Sequence, residues 1–156
     1  MRISDWSSDV CSSDLAPQIQ EKITIPILHI AQATAQALLA DGIQKVGLLG
    51  TKYTMTQDFY KEKLIESGLE VLIPDQAGIT EINRIIYDEL CLGDIKESSK
   101  QNYLAVIDNL KKAGAEAVIL GCTEIGLLVK QTDTDLPLYD TTVIHAEKAA
   151  EWAVNK

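Results

Sequence analysis

Short apolar runs alternate with longer amphipathic stretches along most of this chain, and this alternation constrains the fold more than any other feature. Runs typical of buried strands lie at 25–30, 45–50, 70–74, 117–121 and 136–139. The stretches between them have helical spacing, and Gly42 and Gly114 mark helix ends. Because strands separated by helices form βαβ units, the pattern predicts an α/β fold with a parallel sheet flanked by helices.

The loops that follow the predicted strands are the candidate positions for a ligand. Ligands of parallel sheets bind beyond the carboxyl ends of the strands, which directs attention to loops 50–54, 74–78 and 121–124. The sequence has no glycine-rich phosphate-binding motif, and its histidines and cysteines lack the spacing of metal ligands. We therefore expect no cofactor and no metal ion.

Charge and hydropathy narrow the choice of partners. The net charge of −9 gives a surface that repels phosphate backbones, so nucleic acid is not an expected partner. No apolar run approaches the roughly 18 residues of a membrane-spanning helix, so no membrane partner is expected. The cysteines are odd in number and the polar N-terminus lacks an apolar secretion signal. These features predict a reduced, cytoplasmic protein.

The first fifteen residues differ in composition from the rest of the chain. Ser-Ser-Asp occurs twice in 1–15, no strand or helix period runs through the segment, and the composition changes at Ala16. One interpretation is an ordinary polar N-terminus. The other, which we favour, is a non-native segment that resembles translated sequencing adapter, in which case Cys11 and Trp6 have no function.

The loop after the predicted strand 45–50 carries two hydroxyls and a cation. Thr51 and Thr54 precede a helix, where backbone N–H groups and hydroxyls suit a carboxylate or phosphate. Thr54 and Gln57 have the spacing of a capping box that opens a helix to about Ser67. The alternative interpretation is that Thr51 and Thr54 only cap the helix and satisfy the turn.

The loop after the predicted strand 117–121 contains the most reactive side chain. Cys122 lies at a strand-to-helix turn, where a helix N-terminus lowers the pKa of a thiol and produces a base or nucleophile. Gly121 allows close approach of a ligand, and Thr123 offers a hydroxyl and an N–H. Glu124 opposes thiolate formation unless it points away or is paired. A buried, inert cysteine is the alternative.

The remaining thiol and imidazole groups are interpreted as structural. Cys91 lies on an apolar helical face and is expected in the core. His29 follows a predicted strand, and His145 lies one turn into the last helix.

Six segments together resemble the aspartate/glutamate racemase family, in the family's order and over nearly all of 16–156. They are Ile25-Pro-Ile-Leu-His-Ile-Ala, Leu48-Leu-Gly-Thr-Lys-Tyr-Thr-Met, Gln57-Asp-Phe-Tyr, Tyr87-Asp-Glu-Leu-Cys-Leu-Gly, Ile119-Leu-Gly-Cys-Thr-Glu-Ile-Gly-Leu-Leu and Tyr139-Asp-Thr-Thr-Val-Ile-His-Ala. The resemblance implies a cofactor-independent enzyme with two similar α/β domains, an active site between them, and a homodimeric assembly.

The resemblance also implies a mechanism and site residues. One acid/base group removes the Cα proton of an amino acid, with aspartate or glutamate as the expected substrate, and a second returns a proton to the opposite face. Cys122 matches the second acid/base residue of the family. Thr123 and Glu124 beside it, with Thr51 and Thr54 of the first loop, are the candidate substrate-binding residues.

Two family elements have no match in this sequence, a glycine-rich first turn and a loop with an Asn-Thr pair that holds the first acid/base residue. We therefore expect 1–15 to be foreign and 16–43 to be a remnant of the N-terminal domain. We expect 44–135 to be the C-terminal α/β domain and 136–156 to return to the first domain. A chain of this kind is expected to be inactive and poorly soluble.

Two other function classes stay open. One is a decarboxylase-like enzyme of the same superfamily that uses a single cysteine, Cys122. The other is a non-catalytic α/β module that binds an acidic small molecule. A second acid/base residue would distinguish the racemase from the decarboxylase-like enzyme. Ligand binding that is insensitive to Cys122→Ala would favour the non-catalytic module.

Overall fold

Four parallel strands form one sheet in the order β2–β1–β3–β4. The computed structural model describes residues 15–154. The strands are β1 (Lys45–Leu49), β2 (Glu70–Leu72), β3 (Ala117–Leu120) and β4 (Leu138–Asp140). In the central pair, Val46 is opposite Ala117 and Leu49 is opposite Leu120. The predicted parallel sheet is confirmed.

Helices connect the strands and cover both faces of the sheet. They are α1 (Ala16–Gln20), α2 (Ile30–Ala40), α3 (Lys52–Thr56), α4 (Asp58–Glu66), α5 (Gln76–Asp88), α6 (Glu97–Lys112), α7 (Ile125–Leu128) and α8 (Thr141–Val154). Short 3₁₀ turns cover Leu90–Leu92 and Gln131–Asp133. No helix among residues 15–154 is long and apolar enough to cross a membrane. The α/β class follows from this alternation.

Successive side chains of the two central strands point to opposite faces and build two cores. Leu49, Val118 and Leu120 belong to the first core, with α5, α6 and α7. Val46, Leu48 and Ile119 belong to the second core, with α2 and α4. Both central strands are therefore covered on both faces, which explains why they appear in the sequence as continuous apolar runs.

Three details of the secondary structure differ from the sequence-based expectation. Residues 25–28 are not a strand but irregular chain that enters α2, where Nδ1 of His29 accepts a hydrogen bond from the Ala31 N–H at 3.2 Å. The single helix predicted from Thr54 to Ser67 is two helices, α3 and α4, because Gln57 has an extended backbone with ψ of 153°. Cys91, expected in the core, is exposed in the first 3₁₀ turn.

Residues near both ends of the described chain pack together. Helix α2 contacts α8, and Nε2 of His145 lies 2.9 Å from the Leu28 carbonyl oxygen. Ile30, Ala31 and Leu38 of α2 belong to the second core. The domain boundaries at 16–43, 44–135 and 136–156 stay predictions. The predicted foreign segment 1–15, with Cys11 and Trp6, lies outside the described residues except for Leu15.

Candidate functional site

The strand order creates a crevice between the carboxyl ends of β1 and β3. From β1 the chain goes to β2 on one side of β1, and it then crosses to β3 on the other side of β1. β1 and β3 therefore flank a topological switch point, which is where α/β sheets bind ligands. The Gly121 N–H donates to the Leu49 carbonyl at 2.7 Å. Loops 50–54 and 121–124 therefore start side by side.

The third predicted loop, 74–78, does not join them. It follows β2, which β1 separates from β3. Asp75 caps α5 by accepting from the Gly78 N–H at 2.8 Å. Asp75 and Gly78 line a separate surface pocket with residues such as Asn109 of α6. The described residues contain no group of three or more His, Cys, Asp or Glu arranged to hold a metal ion.

Thr54 fills the space between the two adjacent loops. A Cβ on Gly121 would meet the Leu49 carbonyl oxygen at 2.9 Å and the Thr54 Cγ2 at 3.5 Å, and a Cβ on Gly50 would meet Thr54 at 3.1 Å. Gly121 is therefore glycine because protein atoms lie close to its Cα. This replaces the expectation that the space serves a ligand.

The hydroxyls of the first loop pair with each other. Thr51 and Thr54 are each about 1% exposed, and their Oγ1 atoms are 3.1 Å apart. Oγ1 of Thr51 caps α3 by accepting from the Thr54 N–H at 3.2 Å, so Thr51 and not Thr54 is the cap. This geometry favours the alternative in which both side chains shape the loop. Their predicted contact with a substrate carboxylate stays a prediction.

Cys122 is the reactive group of the second loop, and its thiol is held neutral. The side chain is 4% exposed, and Sγ donates to Oε2 of Glu124 at 3.0 Å. Burial first, and then the adjacent Glu124 carboxylate, raise the pKa of Cys122 well above the ordinary range of thiols. The expected lowering of this pKa by a helix N-terminus is wrong, because burial and Glu124 raise it and α7 has only four residues.

The two residues after Cys122 face outward. Thr123 is exposed and Glu124 is partly buried. Burial opposes ionisation of Glu124, yet hydrogen bonds from Cys122 and Thr123 lower its pKa, so Glu124 is a carboxylate. The loop thus presents a hydroxyl, a carboxylate and a thiol that already shares its proton with that carboxylate. This arrangement suits the delivery of a proton to a bound molecule.

A buried ion cluster, not anticipated from the sequence, fixes the turn that carries Cys91. Glu89 is 4% exposed, and its carboxylate accepts from Arg84 Nη1 at 2.8 Å and from the Ser99 hydroxyl. The Ser99 and Arg84 hydrogen bonds lower the pKa of Glu89 despite its burial. The turn Leu90–Leu92 begins at this anchored residue and contacts α7. No local sequence pattern indicates such a cluster, because its members come from α5, α6 and the segment between them.

Replacing Glu124 by glutamine is expected to increase the reactivity of Cys122. The neutral amide removes the negative charge that opposes thiolate formation, so the pKa of Cys122 falls and the rate of iodoacetamide alkylation at a fixed pH rises about tenfold. The same change at exposed Glu62 on α4 is the matched control and should leave the rate unchanged. An unchanged alkylation rate in Glu124→Gln would show that the Glu124 carboxylate does not raise the pKa of Cys122.

Comparison with known proteins shows one family and a consistent fold. Residues 10–149 match the family model described as Asp/Glu/Hydantoin racemase. The crystal structure of a candidate Asp/Glu racemase from Yersinia pestis is 48% identical, with a TM-score of 0.89 over 91% of this chain and 62% of that one. An uncharacterized protein of the pnlA 3′ region in Pectobacterium carotovorum subsp. carotovorum is 30% identical over 86% of this chain and 89% of its own length.

The relatives with a named activity are longer than this chain. A glutamate racemase from Actinobacillus pleuropneumoniae serotype 5b (strain L20) is 26% identical over 83% of this chain, which spans 48% of that protein. The chain therefore spans about half the length of this relative and under two thirds of the Yersinia pestis protein.

Proposed function

Because this chain belongs to the Asp/Glu/hydantoin racemase family, we propose that it supplies one acid/base group, Cys122, for racemisation of aspartate or glutamate without a cofactor. The observation that carries the proposal is the Cys122 thiol at the β1/β3 switch point, 3.0 Å from the Glu124 carboxylate. The name of the Actinobacillus pleuropneumoniae relative, a glutamate racemase, supports an acidic amino acid as substrate.

In the proposed reaction, Cys122 delivers a proton to one face of the substrate Cα. The raised pKa of Cys122 keeps the thiol protonated, which suits the acid role. The S–H bond breaks, a C–H bond forms at Cα, and the sulfur becomes a thiolate. A second group on the opposite face has removed the original Cα proton. In the reverse direction Cys122 acts as the base.

Neighbouring groups bind the substrate in this proposal. The Glu124 carboxylate pairs with the ammonium of the amino acid, which reduces the repulsion between Glu124 and a thiolate on Cys122. Thr123, whose hydroxyl donates to Glu124, offers its backbone N–H to the substrate carboxylate. Thr51 and Thr54 shape the adjacent loop, whose backbone faces the same carboxylate. Hydrogen bonds at that carboxylate stabilise the carbanion. A homodimeric assembly and a cytoplasmic location stay predictions.

A chimera with the Yersinia pestis relative tests the proposed reaction. Residues 16–156 of this chain replace the matching part of that protein, with which they share 48% identity. Exchange of the Cα proton for solvent deuterium is then followed by NMR with both enantiomers of aspartate, glutamate and alanine. We expect exchange of an acidic amino acid and not of alanine. A folded chimera that exchanges neither acidic amino acid, while its parent does, would contradict the proposal. If the chimera and the Yersinia pestis protein both bound an acidic amino acid without exchanging its Cα proton, the result would favour the non-catalytic binding module.

The 156-residue chain on its own is expected to show no exchange above the buffer background. Cys122 serves only one face of the substrate, and the resemblance assigns the second acid/base residue to an element without a match in this sequence. The same NMR assay applies, with the chimera as positive control. Exchange that disappears in Cys122→Ser would show that this chain is active by itself.

A further inference from the structure

Lys52, the first residue of α3, is an exposed cation that has no ion partner within residues 15–154. The chain carries a net charge of −9, and most of its described lysine and arginine side chains form an ion pair with a carboxylate. Lys130 instead donates to the Gly126 carbonyl oxygen. Lys22, in the turn after α1, and Lys52 have neither kind of contact in the described part of the chain. Of these two, Lys52 lies at the carboxyl end of the sheet, where an anion from outside can reach it.

A side-chain amide of α5 fixes the start of α3 beside this cation. Oδ1 of Asn83 accepts a hydrogen bond from the Lys52 N–H at 2.7 Å. Because only the oxygen of the amide can accept this bond, the orientation of the amide is set, and Nδ2 of Asn83 keeps two protons to donate. Asn83 is half-buried, and its Nδ2 has no acceptor among the residues that the structure describes. An ammonium and an amide donor, both without a protein acceptor, therefore belong to two residues in direct contact.

The Lys52–Asn83 pair lies on the same side of the sheet as Cys122. Met55 is three positions after Lys52, so the two residues share a face of α3, and Met55 belongs to the first core. Ile82, the residue before Asn83, belongs to the same core, as does Cys122. Helices α3 and α5 contact each other, and the loop that leads into α3 starts beside the Cys122 loop. The pair therefore lies on the β1 side of the crevice, and Cys122 lies on the β3 side.

The charges on the two sides of the crevice are opposite. Glu124 is a carboxylate on the β3 side, and Lys52 is a cation on the β1 side. In the proposed reaction the ammonium of the amino acid pairs with Glu124, and its α-carboxylate accepts from the Thr123 N–H. The α-carboxylate is bonded to Cα, so it must stay at this loop for Cys122 to protonate Cα. A carboxylate at the end of the substrate side chain is further from Cα, so it can cross the crevice to Lys52 and Asn83.

We propose that Nζ of Lys52 and Nδ2 of Asn83 form the subsite for the side-chain carboxylate of the substrate, and that Lys52 makes the site specific for acidic amino acids. Lys52 supplies a charge-assisted hydrogen bond, which is stronger than the neutral one from Asn83. Alanine has no group that reaches this subsite. The inference rests on the proposed function of Cys122, but it is tested by binding and does not require proton transfer.

The binding of succinate and butyrate to the full chain tests the subsite. The two ligands have the same number of carbons, but only succinate has a second carboxylate, and NMR titration of the isotope-labelled chain at neutral pH measures both affinities. We expect succinate to bind about tenfold more tightly than butyrate, and Lys52→Met to abolish this preference without changing the affinity for butyrate. Lys22→Met is the matched control and should keep the parental preference. No preference in the parent, an equal preference in Lys52→Met, or an equal loss of both ligands would overturn the proposal.

Asn83→Asp separates ligand contact from the anchoring of α3. The aspartate still accepts a hydrogen bond from the Lys52 N–H, but it replaces the amide donors by a negatively charged oxygen that repels a carboxylate. We expect the preference for succinate to disappear, with the thermal unfolding temperature unchanged by circular dichroism. Lys52→Arg, which keeps the charge, should retain the preference. A folded Asn83→Asp protein that still prefers succinate would overturn the assignment of Asn83 to the subsite.

Kinetics of the chimera distinguish this inference from the proposed function. In the Lys52→Met chimera we expect KM for the acidic amino acid to rise about tenfold while kcat changes little, because the subsite binds a part of the substrate that does not react. Exchange with an unchanged KM in Lys52→Met would overturn the subsite alone. A chimera without any exchange, together with a preference for succinate that depends on Lys52, would contradict the racemase function alone.

Discussion

Serine in place of Cys122 is expected to lower the rate of Cα-proton exchange in the chimera by about 10²- to 10⁴-fold, the usual contribution of a positioned general acid or base. The substitution keeps nearly the same shape at a position that is 4% exposed, so we expect the fold to be retained. The hydroxyl of serine holds its proton far more tightly than a thiol, and it cannot serve as the base in one direction or return as the acid in the other. The rate is measured by NMR in deuterated solvent.

Cys91→Ser is the matched control for this loss. Cys91 is exposed in the 3₁₀ turn next to α7, so its substitution removes a thiol from the same region without touching the proposed base. We expect it to change exchange less than twofold. If Cys91→Ser caused the larger loss, Cys91 would replace Cys122 as the acid/base residue. A Cys122→Ser chimera with more than a tenth of the parental rate would remove Cys122 from the mechanism.

Valine at position 121 is expected to lower the free energy of unfolding by about 3 kcal/mol, the upper part of the range for overpacked cores. A Cβ there would lie 2.9 Å from the Leu49 carbonyl oxygen, which is backbone and cannot rotate away. The same carbonyl accepts the Gly121 N–H at 2.7 Å, so any shift that relieves the clash breaks this hydrogen bond. Urea unfolding followed by circular dichroism measures the change.

Gly42→Ala separates steric overlap from backbone strain. Gly42 has φ of +76° but no atom within 4 Å of a Cβ, so its substitution costs only the strain of a left-handed alanine, about 1 kcal/mol. Gly121→Val should therefore destabilise the protein more than Gly42→Ala. Equal urea midpoints for the two variants would show that the junction of β1 and β3 accommodates an added side chain without the expected loss of stability.

The fold was predictable where strands are buried on both faces and helices are long. Leu48 and Val118, for example, lie in apolar runs because helices cover both faces of their strands. The errors fall where local sequence is ambiguous. The run from Ile25 resembles a strand but has no strand beside it, and the break at Gln57 occurs without glycine or proline to mark it. Whether such a run becomes a strand, or a helix breaks, depends on pairing partners and backbone angles, which the local sequence pattern does not specify.

The candidate site was predictable in position but not in electrostatics. The strand-end rule named loops 50–54, 74–78 and 121–124, and the structure brings the first and third together and leaves 74–78 apart. The direction of the Cys122 pKa was wrong because the burial of its side chain, the largest cause of the shift, depends on tertiary packing. For the same reason no local pattern indicates the carboxylate buried at Glu89.

The β1–β3 pairing has a kinetic consequence for the whole site. Hydrogen bonds across this pair join residues 71 and 72 positions apart, as between Glu116 and the N–H groups of Lys45 and Gln44. The β1–β2 unit, by contrast, closes over a much shorter segment of chain. Loop closure over longer segments costs more entropy and slows folding. The crevice beside Cys122 therefore exists only after β3 has docked on β1.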